Sequence, residues 1–149
     1  MKTRQYEIDI HASASKVMDI MLAEETYKLW TAAFNPTSSF EGEWKKGSHI
    51  RFLGINKDGV KEGMLSEVID IVPNKFVSLR HYGFVSGDTE ITEGPELQGW
   101  KDAKENYSFT ENNGTTTVTV DIDVVEDHLD YFDKTWPLAL EKLKELSEQ

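Results

Sequence analysis

The chain has no cysteine. That excludes disulfide scaffolds, zinc–thiolate sites and thiol nucleophiles, and it fits a reducing cytoplasm, the compartment expected for this protein. Positive charge is scarce: 16 Lys and Arg stand against 27 Asp and Glu, for a formal net charge of −11. Phosphate backbones and anionic lipid surfaces repel such a chain, so nucleic acid and polybasic membrane docking are not expected. Long apolar runs are missing too. None approaches the ~20 residues of a membrane-spanning helix, and the basic start Met1-Lys2-Thr3-Arg4 is not followed by the apolar stretch of a secretory signal. Aromatic residues, by contrast, are plentiful: 4 Trp, 5 Tyr and 7 Phe, too many for a disordered acidic chain. The 149 residues suit one domain, read as spanning 1–149, with a real core of its own.

Patterning along the chain predicts an ordered series of elements. Tyr6, Ile8 and Ile10 alternate with polar residues, the period of a half-buried strand. Ser13 or Ser15 caps a helix whose stripe is Val17, Met18, Met21 and Leu22, and a second short helical segment runs from about Glu24 to Phe34 before Asn35-Pro36 stops it. Strands follow at 38–44, 48–55, 60–72 and 75–85, with Asp58-Gly59 and Pro73-Asn74 as turns. Residues 86–99 read as a long acidic loop. Strands at 102–110 and 115–125 flank the tight turn Asn112-Asn113-Gly114, and Tyr107 and Phe109 share a face. The last element is a long helix from Asp127, its N-cap, to Ser147, carrying the stripe Leu129, Phe132, Trp136, Leu140 and Leu143, with a kink or break expected at Pro137. A run of strands with helices at its ends is an α+β arrangement. The expected architecture is a curved antiparallel sheet of about seven strands around the long C-terminal helix, with two short helices after the first strand.

No motif announces chemistry. The four histidines form no His-x-x-x-His pair, no Gly-x-Ser-x-Gly elbow occurs, and Gly83 to Gly87 has neither the lysine nor the helix of a phosphate loop. No catalytic residue, cofactor or metal is therefore assigned. Glu67 and Asp70 lie on opposite faces of one strand unless a bulge intervenes, and Glu41 and Glu43 read as solvated charges. His81 shares a strand face with Val77 and Leu79. It either points into a cavity, where it could orient or protonate a ligand, or is satisfied by a neighbouring hydroxyl.

The segments Phe40-Glu41-Gly42-Glu43-Trp44 through Ile50-Arg51-Phe52, Gly63 with Glu67-Val68, Pro73-Asn74-Lys75-Phe76-Val77, and the ending Trp136-Pro137 to Leu143-Lys144 resemble a known family. It is the heat-shock-protein-90 ATPase activator-like domain of the START/birch-pollen-allergen-like (SRPBCC) helix-grip superfamily. The resemblance covers about Tyr6 to Leu146. It implies a cavity between sheet and C-terminal helix, in which Trp30, Phe34, Trp44, Phe52, Tyr107, Trp136 and Leu140 converge, with His81 on its wall and Trp100 at its mouth. Filling of an ordinary core is the competing reading for each of the large apolar residues.

The leading expectation is a protein that binds a small hydrophobic or amphipathic, lipid-like molecule. A chaperone-activator-like module that docks a protein partner through its acidic face is the alternative. A polyketide cyclase/dehydratase-like enzyme, with His81 working beside Tyr82, Arg51 or a nearby carboxylate, is the second alternative.

Overall fold

The computed structural model describes all 149 residues. Eight strands form one antiparallel sheet: β1 (Lys2–Ile10), β2 (Ser39–Glu41), β3 (His49–Ile55), β4 (Lys61–Val72), β5 (Phe76–Ser86), β6 (Thr89–Ile91), β7 (Ala103–Asn112) and β8 (Thr115–Val124). Their lateral order is β1-β8-β7-β5-β4-β3-β2, with β6 paired to β5 off this path. Helices α1 (Ala14–Leu22) and α2 (Glu24–Trp30) follow β1, and α3 (Leu129–Ser147) closes the chain. No helix is long and apolar enough to cross a membrane.

Local chemistry accounts for most boundaries. Ser13 caps α1 by accepting a bond from the Lys16 N–H at 3.2 Å. Strand β2 stops after Glu41, three residues short of the expected Trp44, because Gly42 sits at φ 129°, outside the extended region. Helix α3 starts at Leu129, after a 3-10 turn over Glu126–His128, so Asp127 is not its N-cap. It also runs unbroken through Pro137. The ring removes one intrahelical bond, but Trp136, Ala139, Leu140 and Leu143 bury one stripe on both sides of the proline.

The strand absent from the sequence reading is β6, inside the acidic segment. Strand β5 has different neighbours along its length: Phe76–His81 pair with β7, whereas Phe84–Ser86 pair with β6. The switch falls at a register shift against β4, where Ser66 opposes His81 but Leu65 opposes Gly83, leaving Tyr82 as the extra residue. Gly83 permits the close approach of β6, since a Cβ there would lie 2.5 Å from the Ile91 carbonyl oxygen. The bulge returns Phe84 to the helix-facing side, while Tyr82 packs with Leu53, Leu65 and Val85 in a separate cluster. A second shift leaves Ile69 unpaired on β4, so Glu67 and Asp70 share a face after all.

The core lies between the sheet and the three helices. Twenty buried side chains form it, among them Val17, Met21, Trp30, Ile50, Leu79, Val120, Leu140 and Leu143. Leu140 is buried in this cluster. Leu140→Ala is therefore expected to cost about 2–5 kcal/mol, measured as a lower urea midpoint with an unchanged slope.

Candidate functional site

A cavity of about 720 Å³ opens between the sheet, α2 and the first half of α3. Ten aromatic side chains line it: Tyr27, Trp30, Phe34, Phe52, Phe84, Trp100, Tyr107, Tyr131, Phe132 and Trp136. Helix α2 and its following turn supply the first three because helical spacing puts residues 27, 30 and 34 on one side. The floor is buried (Trp30, His81, Ala103, Tyr107, Trp136), whereas Glu62, Ser86, Glu96 and Tyr131 form an exposed rim.

Of the residues singled out in the sequence, Trp30, Phe34, Phe52, His81, Trp100, Tyr107 and Trp136 line this cavity. Trp44 and Leu140 do not. Trp44 packs its ring against Phe40 and Phe52 at centroid separations of 5.6 and 5.8 Å, behind the wall. Leu140 lies one turn beyond Trp136 in the core. Trp100 stands over Phe84, 6.0 Å between ring centres, and is fixed by an N–H bond to the Glu96 carbonyl at 2.8 Å.

One chain of polar groups crosses the aromatic wall. The Ser66 hydroxyl lies 2.6 Å from His81 Nδ1, and His81 Nε2 lies 3.2 Å from Glu105 Oε1. The Tyr107 hydroxyl donates to Glu105 Oε2. An ionised carboxylate only accepts, so Nε2 of His81 carries hydrogen and donates to Glu105. Nδ1 accepts from the Ser66 hydroxyl when bare and donates to it when protonated, and every member of the chain is satisfied in either state. Burial by itself would raise the Glu105 carboxyl. The hydrogen bond and charge of His81, with the bond from Tyr107, outweigh it and hold the group below the usual carboxylate value. Burial, and next the Glu105 charge, drive the Tyr107 and Tyr27 hydroxyls far above the ordinary phenol range. Both remain donors at any ordinary pH.

Glu105 was not among the residues expected here, yet its signal was present. The alternation that puts Tyr107 and Phe109 inward puts Glu105 inward as well, a lone carboxylate on an apolar face. Of the partners named for His81 in the enzyme reading, the nearby carboxylate is present as Glu105, whereas Arg51 and Tyr82 are elsewhere. Arg51 pairs with Glu41 and Glu90, and Tyr82 packs in the separate cluster and under Arg80. Ser66, His81 and Glu105 do have the connectivity of a hydroxyl–imidazole–carboxylate relay. Ser66, however, is fully buried and not on the cavity wall, so a substrate in the cavity cannot reach its hydroxyl. No group of three or more His, Asp or Glu side chains is arranged to hold a metal ion.

Comparison with known proteins gives the fold a family context. The family model described as "Activator of Hsp90 ATPase homolog 1-like protein" matches residues 11–148. Among solved structures, the Aha1 dimer from Colwellia psychrerythraea is 22% identical over 99% of this chain and 97% of that chain, with a TM-score of 0.73. A putative uncharacterized protein from Rhizobium leguminosarum is 17% identical, covering 99% and 95%, with a TM-score of 0.64. A protein from Nitrosomonas europaea is 13% identical, covering 97% and 92%, with a TM-score of 0.74. At these identities the likeness shows the fold alone. No curated protein sequence is significantly similar to the chain.

The depressed carboxyl of Glu105 carries a sign. A group whose folded value is lowered adds stability above its unfolded value and loses it as pH falls through the folded one. Glu105→Gln is expected to cost about 1.5–3 kcal/mol at neutral pH, as a hydrogen-bonded charge does. The gap between wild type and variant should shrink as urea titrations move down through the acidic range, and a gap independent of pH would contradict the assignment.

Proposed function

The chain belongs to the activator of Hsp90 ATPase homolog 1-like family, and from that premise and the shape of its interior we propose that it binds a small apolar or amphipathic molecule between sheet and C-terminal helix. The observation that carries this reading is the 720 Å³ aromatic cavity with one buried polar chain in its wall. Ligand sites are concave and mostly apolar, typically about 300–1,000 Å³, with a few placed polar groups. A core filled only for stability packs to crystal density and leaves no such space. Trp30, Phe34, Phe52, Tyr107 and Trp136 form the apolar bed, His81 belongs to the polar chain, and Trp100 stands at the mouth. The lack of cysteine supports work in the cytoplasm.

A fluorescent neutral probe such as N-phenylnaphthylamine should bind in one-to-one stoichiometry, and native mass spectrometry of gently purified protein should reveal an added small molecule. Trp100→Ala should weaken probe binding roughly 3- to 10-fold, the effect of losing one aromatic wall worth about 1 kcal/mol. The absence of both probe binding and any co-purifying molecule would overturn the reading.

The family match also supports a second reading, a chaperone-activator-like module whose acidic surface docks a basic patch on a partner. Its expected outcome is a several-fold rise in the ATPase turnover of the host's Hsp90 at saturating protein. The effect should fade with added salt, as charge-guided association does. Unchanged turnover would remove it.

A further inference from the structure

We infer that the molecule held in the cavity is an amphipathic amine, its cationic head at Glu105 and its apolar body against the aromatic walls. The inference rests on the reading of the cavity as a small-molecule site and specifies the class of guest. The first observation is the charge of the lining: Glu62, Glu96, Glu105 and Asp123 against the single Lys104. The nearest arginine along β5, Arg80, is committed to Glu67 and Asp102 at 2.9 and 2.6 Å and does not line the cavity. A carboxylate guest of the fatty-acid type would meet mostly like charge here, with Lys104 as the one lining cation.

The second observation is the valence of Glu105. Its two oxygens offer about four acceptor positions, and His81 and Tyr107 occupy two. Its carboxyl is held below the usual carboxylate value, so the wall keeps an anion at this place. Such a charge is costly in an apolar wall unless a cation meets it. An ammonium has three donors and no acceptor, which matches the open positions, and aromatic ring faces attract it further. An ammonium would not meet every buried group of this wall. The indole N–H of Trp136, a residue of the cavity floor that is 3% exposed, has no hydrogen-bond partner in the protein. Its ring lies 6.3 Å from that of Tyr107, the residue bonded to Glu105.

The test is displacement of bound N-phenylnaphthylamine by three probes that share one hydrocarbon body: decylamine, decanol and decanoate. The amine should displace at least 10-fold more strongly than the alcohol, with decanoate weakest, and the order should persist in high salt, where surface charge is screened. Glu105→Gln should erase the preference for amine over alcohol, while Glu7→Gln, which removes an equal charge far from the cavity, should leave it intact. If the probe binds and the three heads compete equally, or decanoate wins, the amine inference fails and the cavity reading stands. If the probe does not bind at all, both fail. Should Glu105→Gln not fold, the head-group order of the wild type in high salt decides by itself.

Discussion

Trp136 is the contact on which the arrangement depends. Its ring lies within 6.3 Å of four others drawn from separate parts of the chain: Tyr6 on β1, Trp30 at the end of α2, Phe34 beyond the following turn, and Tyr107 on β7. Each pair is worth about 0.5–1.5 kcal/mol beyond the area it buries. Together they set the height of α3 above the sheet. Below Trp136, toward the C-terminus, Ala139, Leu140 and Leu143 are small or aliphatic and let helix and sheet close into a core. Toward the N-terminus the helix presents Phe132 and Tyr131, the turn before it presents His128, and the space between the layers stays open. One helix thus closes the structure at one end and walls a cavity at the other.

The sheet contributes the second constraint. A regular β5 paired along its whole length with β7 would continue the wall past His81. The bulge at Tyr82 ends that pairing, hands the strand to β6, and returns Phe84 to the interior opposite Trp100. Bulges commonly re-aim side chains next to functional sites, and this one lies beside His81, the central member of the polar chain.

That chain is also where the protein departs from the simplest stable interior. An apolar wall would avoid the cost of taking a carboxylate out of water. Here Glu105 is retained with His81, Ser66 and Tyr107 arranged so that each donor finds an acceptor. The arrangement keeps a charge at a defined place in an aromatic surrounding. The only hydroxyl bonded to His81 is sealed from the cavity.

Much of the fold was legible in the residues. Residue patterning and turn signals marked seven of the eight strands, Asp58-Gly59 and Asn113-Gly114 marked hairpins, and the stripe through Trp136 and Leu143 marked the long helix, because each signal is carried by residues close in the chain. The aromatic residues named for the cavity were mostly those that line it. The same local signals misjudged Trp44 and Leu140, since alternation and helical spacing tell inward from outward but not a cavity wall from the core behind it. They missed β6, whose three residues form a strand only because β5 offers an edge. They allowed His81 a neighbouring hydroxyl or a nearby carboxylate as well as Tyr82 or Arg51, and only the bulge and the β5–β7 register select Ser66 and Glu105, 15 and 24 residues distant. By itself the sequence determined the elements, the face each residue shows and the acidity of the surface. The tertiary structure alone decided where helix and sheet separate and which charge lies between them, because both depend on long-range pairing and on the bulk of Trp136 rather than on any local period.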